Sequence, residues 1–209
     1  MRKMRGVRLI LCAGDLTGFC TRPDGVISLL RRRKVRSVIG DSDLAVLSGS
    51  YEGLPDEVRE ACIWTRKRLG EDHLEFLRSL PERMEVRAGG LKIMVVHGSP
   101  SDPLRGRITR ETTGERLSRL LRGAEADVIV VGHTHVQLSR MFLGRLIVNP
   151  GSVGQPRDRD PRAGFAILRL DGEPEVEFVR VKYPTDEEVA LLKREGLPAS
   201  IITRLLYGW

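Results

Sequence analysis

Val128-Ile129-Val130-Val131-Gly132-His133-Thr134-His135 is the stretch on which the fold turns. Four apolar β-type residues read as a buried strand, and two histidines stand just past its carboxyl end. The same arrangement occurs upstream, where Ile93-Met94-Val95-Val96 runs into His97-Gly98-Ser99-Pro100. Open α/β sheets place their chemistry at the carboxyl ends of strands. Two such ends that both carry imidazole point to a metal site. Three of the chain's four histidines are spent this way.

Outward from these strands, the rest of the chain alternates. Val7–Ala13 reads as a strand followed by Gly14-Asp15, and Val35–Ile39 as a second followed by Gly40-Asp41-Ser42-Asp43. Helices are expected over Pro23–Arg33, Glu57–Leu69, Glu71–Leu80 and Thr113–Leu121, with Pro81 stopping the third of these. Hairpins are expected for Met84–Val86 with Leu91–Val96, and for Gly164–Leu170 with Val176–Val181. Two short strands flank Gly144, and Asp186–Arg194 and Ala199–Leu206 form a helical tail. The division is a domain over residues 1–184 and a tail over 185–209 packed on it. Strands mixed with helices, then a β-rich end, predict α/β architecture with two sheets face to face and helices outside.

Composition narrows the classes. A chain of 209 residues, 41% hydrophobic and 30% charged, suits one well-buried core. No apolar run approaches the ~18 residues of a membrane span. Three cysteines without a Cys-x-x-Cys pair argue for a reducing cytoplasm and against a disulfide framework or thiolate zinc site. Net charge is +7. It admits a nucleic-acid partner, but the basic run Arg31–Arg36 ends a helix-like segment and reads first as a solvated face. Asn149 is the sole asparagine, and few thermolabile amides beside many charges suggest a thermophile.

Four strand ends therefore carry ligand-type residues: Asp15, Asp41 with Asp43, His97, and His133 with His135. Mixed carboxylate and imidazole donors suit Mn, Fe, Zn or Ni better than Mg or Ca. One aspartate can bridge two cations, and paired cations clamp the attacking and leaving oxygens of a phosphoryl displacement. Asp43 reads as a loop-capping acid, His73 as an exposed helical histidine and Trp64 as packing.

With Gly14-Asp15-Leu16-Thr17-Gly18-Phe19, His97-Gly98-Ser99-Pro100, Gly132-His133-Thr134-His135 and Asn149-Pro150-Gly151-Ser152-Val153-Gly154-Gln155-Pro156-Arg157, the chain resembles the calcineurin-like metallophosphoesterases. Within them it looks like the small prokaryotic phosphodiesterase branch. The resemblance implies a four-layer α/β/β/α sandwich of two mixed sheets. It implies Asp15 as bridging carboxylate, Asp41, His97 and His133 completing one metal, and His135 on the other. Asp15, His97 and His133 are then the catalytic set, and hydroxide on the metal attacks phosphorus. Arg105 and Arg107 are candidates to hold substrate phosphate, and Asn149 supports the site from behind.

Two departures matter. The family opens with Asp-x-His on a first strand, yet no histidine precedes His73, and residues 1–6 are too short for the missing strand and helix. The family's Gly-Asn-His-Asp is Gly40-Asp41-Ser42-Asp43. Counting ligands predicts one tight metal, manganese first, and one loose or absent. A second register, with Asp15 in the first motif and Asp41 as the bridge, stays open, as does a coding start upstream of Met1. Two functions follow: a phosphodiesterase acting on a small phosphoester or nucleotide, or a non-catalytic scaffold on the same fold. With the first family strand missing, Val7–Ala13 would be a sheet edge, which makes a homodimer an expectation.

Overall fold

The structure, a computed structural model, describes residues 6–209. The reading of residues 1–5 lies outside them. The chain begins with β1 (Leu11–Cys12), α1 (Pro23–Arg32), β2 (Arg36–Ser37), α2 (Asp41–Ser48), α3 (Asp56–Arg68) and α4 (Glu71–Arg78). It continues through β3 (Arg83–Ala88), β4 (Leu91–Val96), α5 (Gly114–Leu120), β5 (Val128–Val130), β6 (Gln137–Phe142) and β7 (Arg145–Pro150). The last elements are β8 (Ala163–Arg169), β9 (Glu175–Val181), α6 (Asp186–Arg194) and α7 (Ala199–Tyr207).

Five strands form a mixed sheet in the order β3-β4-β5-β7-β6, with the two histidine-bearing strands β4 and β5 parallel neighbours near its middle. Their register pairs Ile93 with Val128 and Val95 with Val130, so the two strand ends stop side by side. Alternation then divides the side chains between two cores. Met94, Val96, Ile129 and Val131 pack with Leu117 and Leu121 from the α5 side. Ile93, Val95, Val128 and Val130 face the other way, onto Leu11 of β1 and onto Ala166 and Leu168 of β8. Beyond β1, Leu16, Ile27, Val46, Cys62 and Leu77 unite α1 to α4 in a third cluster. The resulting order is helix, sheet, strands, helices, as expected. Each fully buried valine or isoleucine contributes about 1.5–3 kcal/mol, so the two faces of β4 and β5 anchor the site floor from both sides.

The inner strand layer departs from expectation in detail. It consists of two separate ladders, parallel β1-β2 and antiparallel β8-β9. Val7–Ala13 was expected as one strand, but only Leu11 and Cys12 find ladder partners, Arg36 and Ser37. Of the remaining residues, Leu9 and Ala13 lend side chains to the core, while Val7 and Ile10 are exposed. Gly40–Asp43, expected as a loop, instead opens α2. Gly40 is its N-cap, and the Asp43 carboxylate reaches back to accept the Gly40 N–H at 3.0 Å. Gly49 closes the helix in the left-handed conformation, and Arg66 of α3 donates to the Val46 and Leu47 carbonyls at that end. Asp41 is thereby fixed on a helix start.

Helices α6 and α7 and the turn between them lay Leu192, Leu197, Ile201 and Leu205 against Ala61 of α3, with Trp64 packed alongside. Polar ties add to the contact. Glu188 accepts from the Thr21 amide at 2.7 Å and its hydroxyl at 2.9 Å, and Arg204 pairs with Glu57 at 2.6 Å. The Arg159 amide donates to the Gly208 carbonyl at 2.7 Å, joining the chain end to the loop after β7. No helix among the described residues is long and apolar enough to cross a membrane.

Candidate metal centre

The segments after β1, β2, β4 and β5 converge above the middle of the sheets. Close approach of backbones brings them together. A Cβ on Gly40 would sit 2.2 Å from the Asp15 amide nitrogen, so only glycine lets the start of α2 meet the turn after β1. Gly132 donates its amide to the His97 carbonyl at 2.7 Å, which locks the two histidine loops together.

Asp41 Oδ1, His97 Nε2 and His133 Nδ1 meet in one group. His97 Nε2 lies 3.2 Å from Asp41 Oδ1, 3.5 Å from Asp15 Oδ1 and 3.3 Å from His133 Nδ1. His133 Nδ1 is 3.7 Å from Asp41 Oδ1. For tetrahedral metal bonds of about 2.1 Å, donor atoms stand about 3.4 Å apart. The four separations cluster around that value, so this donor set fits a divalent ion. On the other side of Asp15, Oδ2 lies 3.3 Å from His135 Nε2. Asp15 therefore turns one oxygen to each side, with Asp41, His97 and His133 on one and His135 on the other.

Carbonyls behind the imidazoles set their tautomers. His97 Nδ1 donates to the Ala13 carbonyl at 2.6 Å and His135 Nδ1 to the Gln155 carbonyl at 2.7 Å. Each Nε2 lone pair is then left toward the acids, the usual second hydrogen bond of a metal-ligating histidine. The ring edge of Phe19 stands against His135, with centroids 6.0 Å apart. Ser42 donates its hydroxyl to Asp15 Oδ1 at 2.7 Å and holds that carboxylate in place. Backbone strain concentrates here, since Asp15, His133 and His135 have φ of 55°, 60° and 59°. Non-glycine residues held at positive φ cost about 1–3 kcal/mol each and cluster at functional sites.

Asn149 stands near the end of β7, behind the histidine turn. It is fully buried, donates Nδ2 to the Gly132 carbonyl at 2.6 Å and to Thr134 Oγ1 at 2.9 Å, and accepts the Gly151 amide at 3.0 Å. It clamps the strained His133–His135 turn from behind. Asn149→Ala is expected to cost about 1–3 kcal/mol of stability through the orphaned carbonyl and amide. It should also weaken divalent-metal affinity about ten- to hundredfold; thermal melts and metal titration read the two effects separately.

Electrostatics follow from burial and proximity. Burial would raise the Asp15 carboxyl, but His97 and His135 outweigh it and hold it below the ordinary carboxylate range. Asp41 is likewise held low, because His133 and His97 overcome its burial. His97 moves up to about 9: burial opposes the charged ring, but Asp15 and Asp41 beside it prevail. Below that pH a cation must displace a proton, so metal uptake should release about one proton per ion and tighten with rising pH. Calorimetry in buffers of different ionisation enthalpy measures that proton. A raised histidine value also stabilises the metal-free fold fully below about 6.5, and this contribution is lost as pH climbs through about 9. EDTA-treated protein should accordingly melt lower at pH 9 than at pH 6.5.

Asp43 is buried and caps backbone, as expected, accepting from the Leu16 and Thr17 amides at 3.1 and 2.9 Å. Burial and the Asp15 charge push its carboxyl up to about 6 despite these bonds. His73 is half-buried rather than exposed, 3.4 Å from Ser28 Oγ and away from the centre. Of the two candidate arginines, Arg107 is exposed and near enough to Arg157 for their charges to interact. Arg105 is exposed, and among the described residues only its backbone amide is engaged, by Asp102 at 3.1 Å. Sequence reasoning assigned no role to Ser42 in orienting Asp15, nor to Gln155 and Arg157 behind His135. Gln155 and Arg157 stand in the motif running from Asn149 to Arg157, which was their only signal.

A layered α/β fold with acids and imidazoles gathered at its strand ends is that of a metal-dependent hydrolase. The calcineurin-like phosphoesterase superfamily domain matches residues 1–173, and the chain belongs to that superfamily. A protein of Methanocaldococcus jannaschii is 29% identical over 222 residues, spanning 99% of this chain and 89% of its own. The crystal structure of a metallophosphoesterase from Sphaerobacter thermophilus superposes with a TM-score of 0.83 at 33% identity, covering 100% of this chain and 91% of that one. A hypothetical protein from Pyrococcus horikoshii OT3 gives 0.88 at 24% identity over 99% and 88%, which shows the fold. Membership supports a metal-dependent phosphoesterase in general and a divalent ion in the donor cluster.

Proposed function

We propose that the protein is a phosphodiesterase that uses one tightly held divalent ion, manganese by preference, with a weaker second ion beside His135. The observation that carries this is the set of three donor atoms from Asp41, His97 and His133 at the spacing of one coordination sphere, with Asp15 Oδ1 3.5 Å from His97 Nε2. A divalent ion there supplies Lewis acidity, making water nucleophilic near neutral pH and drawing charge from phosphoryl oxygens. The chain's residues do the rest. The Ala13 and Gln155 carbonyls keep the Nε2 lone pairs of His97 and His135 available. Ser42 keeps one oxygen of Asp15 on each side. His135 with a single aspartate oxygen is a sparse donor pair, which supports the weaker second site. Mixed imidazole and carboxylate donors favour Mn, Fe, Zn or Ni.

Charge supports a diester. Asp15 and Asp41 together balance one divalent ion, so the ion and its acids by themselves favour a dianion little over a monoanion. A phosphodiester, with one negative charge, loses less by entering than a dianionic monoester does. Arg107, exposed and near Arg157, adds positive charge. With Mn²⁺ added, bis-p-nitrophenyl phosphate should be turned over with a kcat/KM at least about tenfold above that for p-nitrophenyl phosphate. Equal or reversed preference contradicts the diester; no turnover of either with any of the four metals contradicts the phosphoesterase. The compartment is proposed as the cytoplasm from the sparse, unpaired cysteines. A homodimer is proposed from the unpaired outer edge of β1 among the described residues, and sedimentation at micromolar concentration tests it.

A further inference from the structure

We propose that Arg157, with Arg107 beside it, binds the phosphoryl oxygens of the substrate next to the metal centre. The assignment depends on the phosphoesterase reading of the site. Arg157 is built into the centre. Its backbone amide donates to the His135 carbonyl at 3.2 Å. Its Nη2 donates to Gln155 Oε1 at 3.3 Å, while the Gln155 carbonyl holds His135 Nδ1 at 2.7 Å. Gln155 is itself buried and fixed by Ser152 Oγ on its amide at 3.0 Å. One glutamine thus positions both a candidate metal-binding imidazole and a guanidinium.

The guanidinium lacks a counter-ion of its own among the described residues. Its Nε is buried without a hydrogen-bond partner, and a buried donor left unpaired is costly enough to need an explanation. Burial and the positive charges of Arg204 and Arg107 oppose its own charge, while Asp15 and Asp41 favour it. Arg204 is neutralised by Glu57 at 2.6 Å. Arg107 and Arg157 make no ion pair among the described residues, so two like charges remain near enough to repel each other. An anion between them and the metal relieves that repulsion. A guanidinium fork matches two oxygens of a phosphoryl group, and such charge-assisted bonds are the strong ones. The tail takes part indirectly. Its Gly208 carbonyl holds the Arg159 amide at 2.7 Å and so steadies the loop that carries Arg157.

Orthophosphate is the probe, titrated calorimetrically into the Mn²⁺-loaded wild-type protein and into Arg157→Ala and Arg157→Lys. Phosphate affinity should fall about ten- to hundredfold in Arg157→Ala, with Mn²⁺ affinity within about threefold of wild type. Arg157→Lys should recover part of the loss, because it restores the charge without the fork. Phosphate affinity in Arg157→Ala within about twofold of wild type overturns the proposal. So does a parallel loss of Mn²⁺ affinity, or a wild-type protein that binds no orthophosphate. Phosphate binding that depends on Arg157, without hydrolysis of any ester, sinks the phosphodiesterase and leaves this assignment standing. Hydrolysis with a KM indifferent to Arg157→Ala does the reverse.

Discussion

His97→Ala should abolish metal-dependent turnover, to below about 1% of wild type, and weaken metal affinity more than about hundredfold. Supporting residues behind a metal ligand already cost about ten- to hundredfold, and His97 stands closer than those. Its Nε2 has three candidate donor atoms within 3.5 Å, from Asp41, His133 and Asp15. Removing the ring takes out the middle of the cluster and leaves Asp15 and Asp41 facing each other without a cation. It also opens a space in a fully buried position. Metal-free His97→Ala should for both reasons melt below metal-free wild type. The check is a metal titration beside a turnover assay. Activity above about a tenth of wild type at saturating metal would remove His97 from the centre.

Asp15→Asn is the second large effect and the cleaner one. Asp15 has φ of 55°, a conformation that asparagine tolerates and alanine does not. The substitution keeps the shape and the backbone while removing one negative charge. Because Oδ1 faces His97 and Oδ2 faces His135, both sides of the centre lose a donor of full charge. Metal affinity should fall at least about hundredfold, with turnover falling to a similar degree, and the metal-free protein should melt lower near neutral pH because His97 loses the Asp15 charge that favours its protonated ring. The proton released on metal uptake should also shrink, since Asp15 is the larger of the charges that raise His97. Retained affinity in Asp15→Asn would move the bridge to Asp41, the other register that the sequence leaves open.

The sequence made the sheet centre legible because buried parallel strands are written as unbroken apolar runs. Val128–Val131 and Ile93–Val96 announced themselves, and the histidines after them marked where the chemistry sits. Asn149 was marked by the motif it opens, from Asn149 to Arg157, and not by the strand before it. Pairing length was not legible at β1. Nothing in Val7–Ala13 says that only Leu11 and Cys12 meet a partner, since that depends on how little β2 offers.

Helix α2 was hidden by its own residues. Gly40, Asp41, Ser42 and Asp43 are turn formers taken singly, yet an N-cap glycine followed by acids in the first turn is also a helix start. Arg157 was hidden differently. Surface arginines are the default in a chain with 35 lysines and arginines, and only the fold shows that this one is tied to His135 while Arg105 is not.

Anomalous diffraction at the manganese edge from crystals grown with Mn²⁺ tests the centre most directly. The expected result is one strong peak about 2.0–2.2 Å from Asp15 Oδ1, Asp41 Oδ1, His97 Nε2 and His133 Nδ1, with a weaker peak or none beside His135. A strong peak elsewhere, or none among these four atoms at saturating manganese, would contradict it.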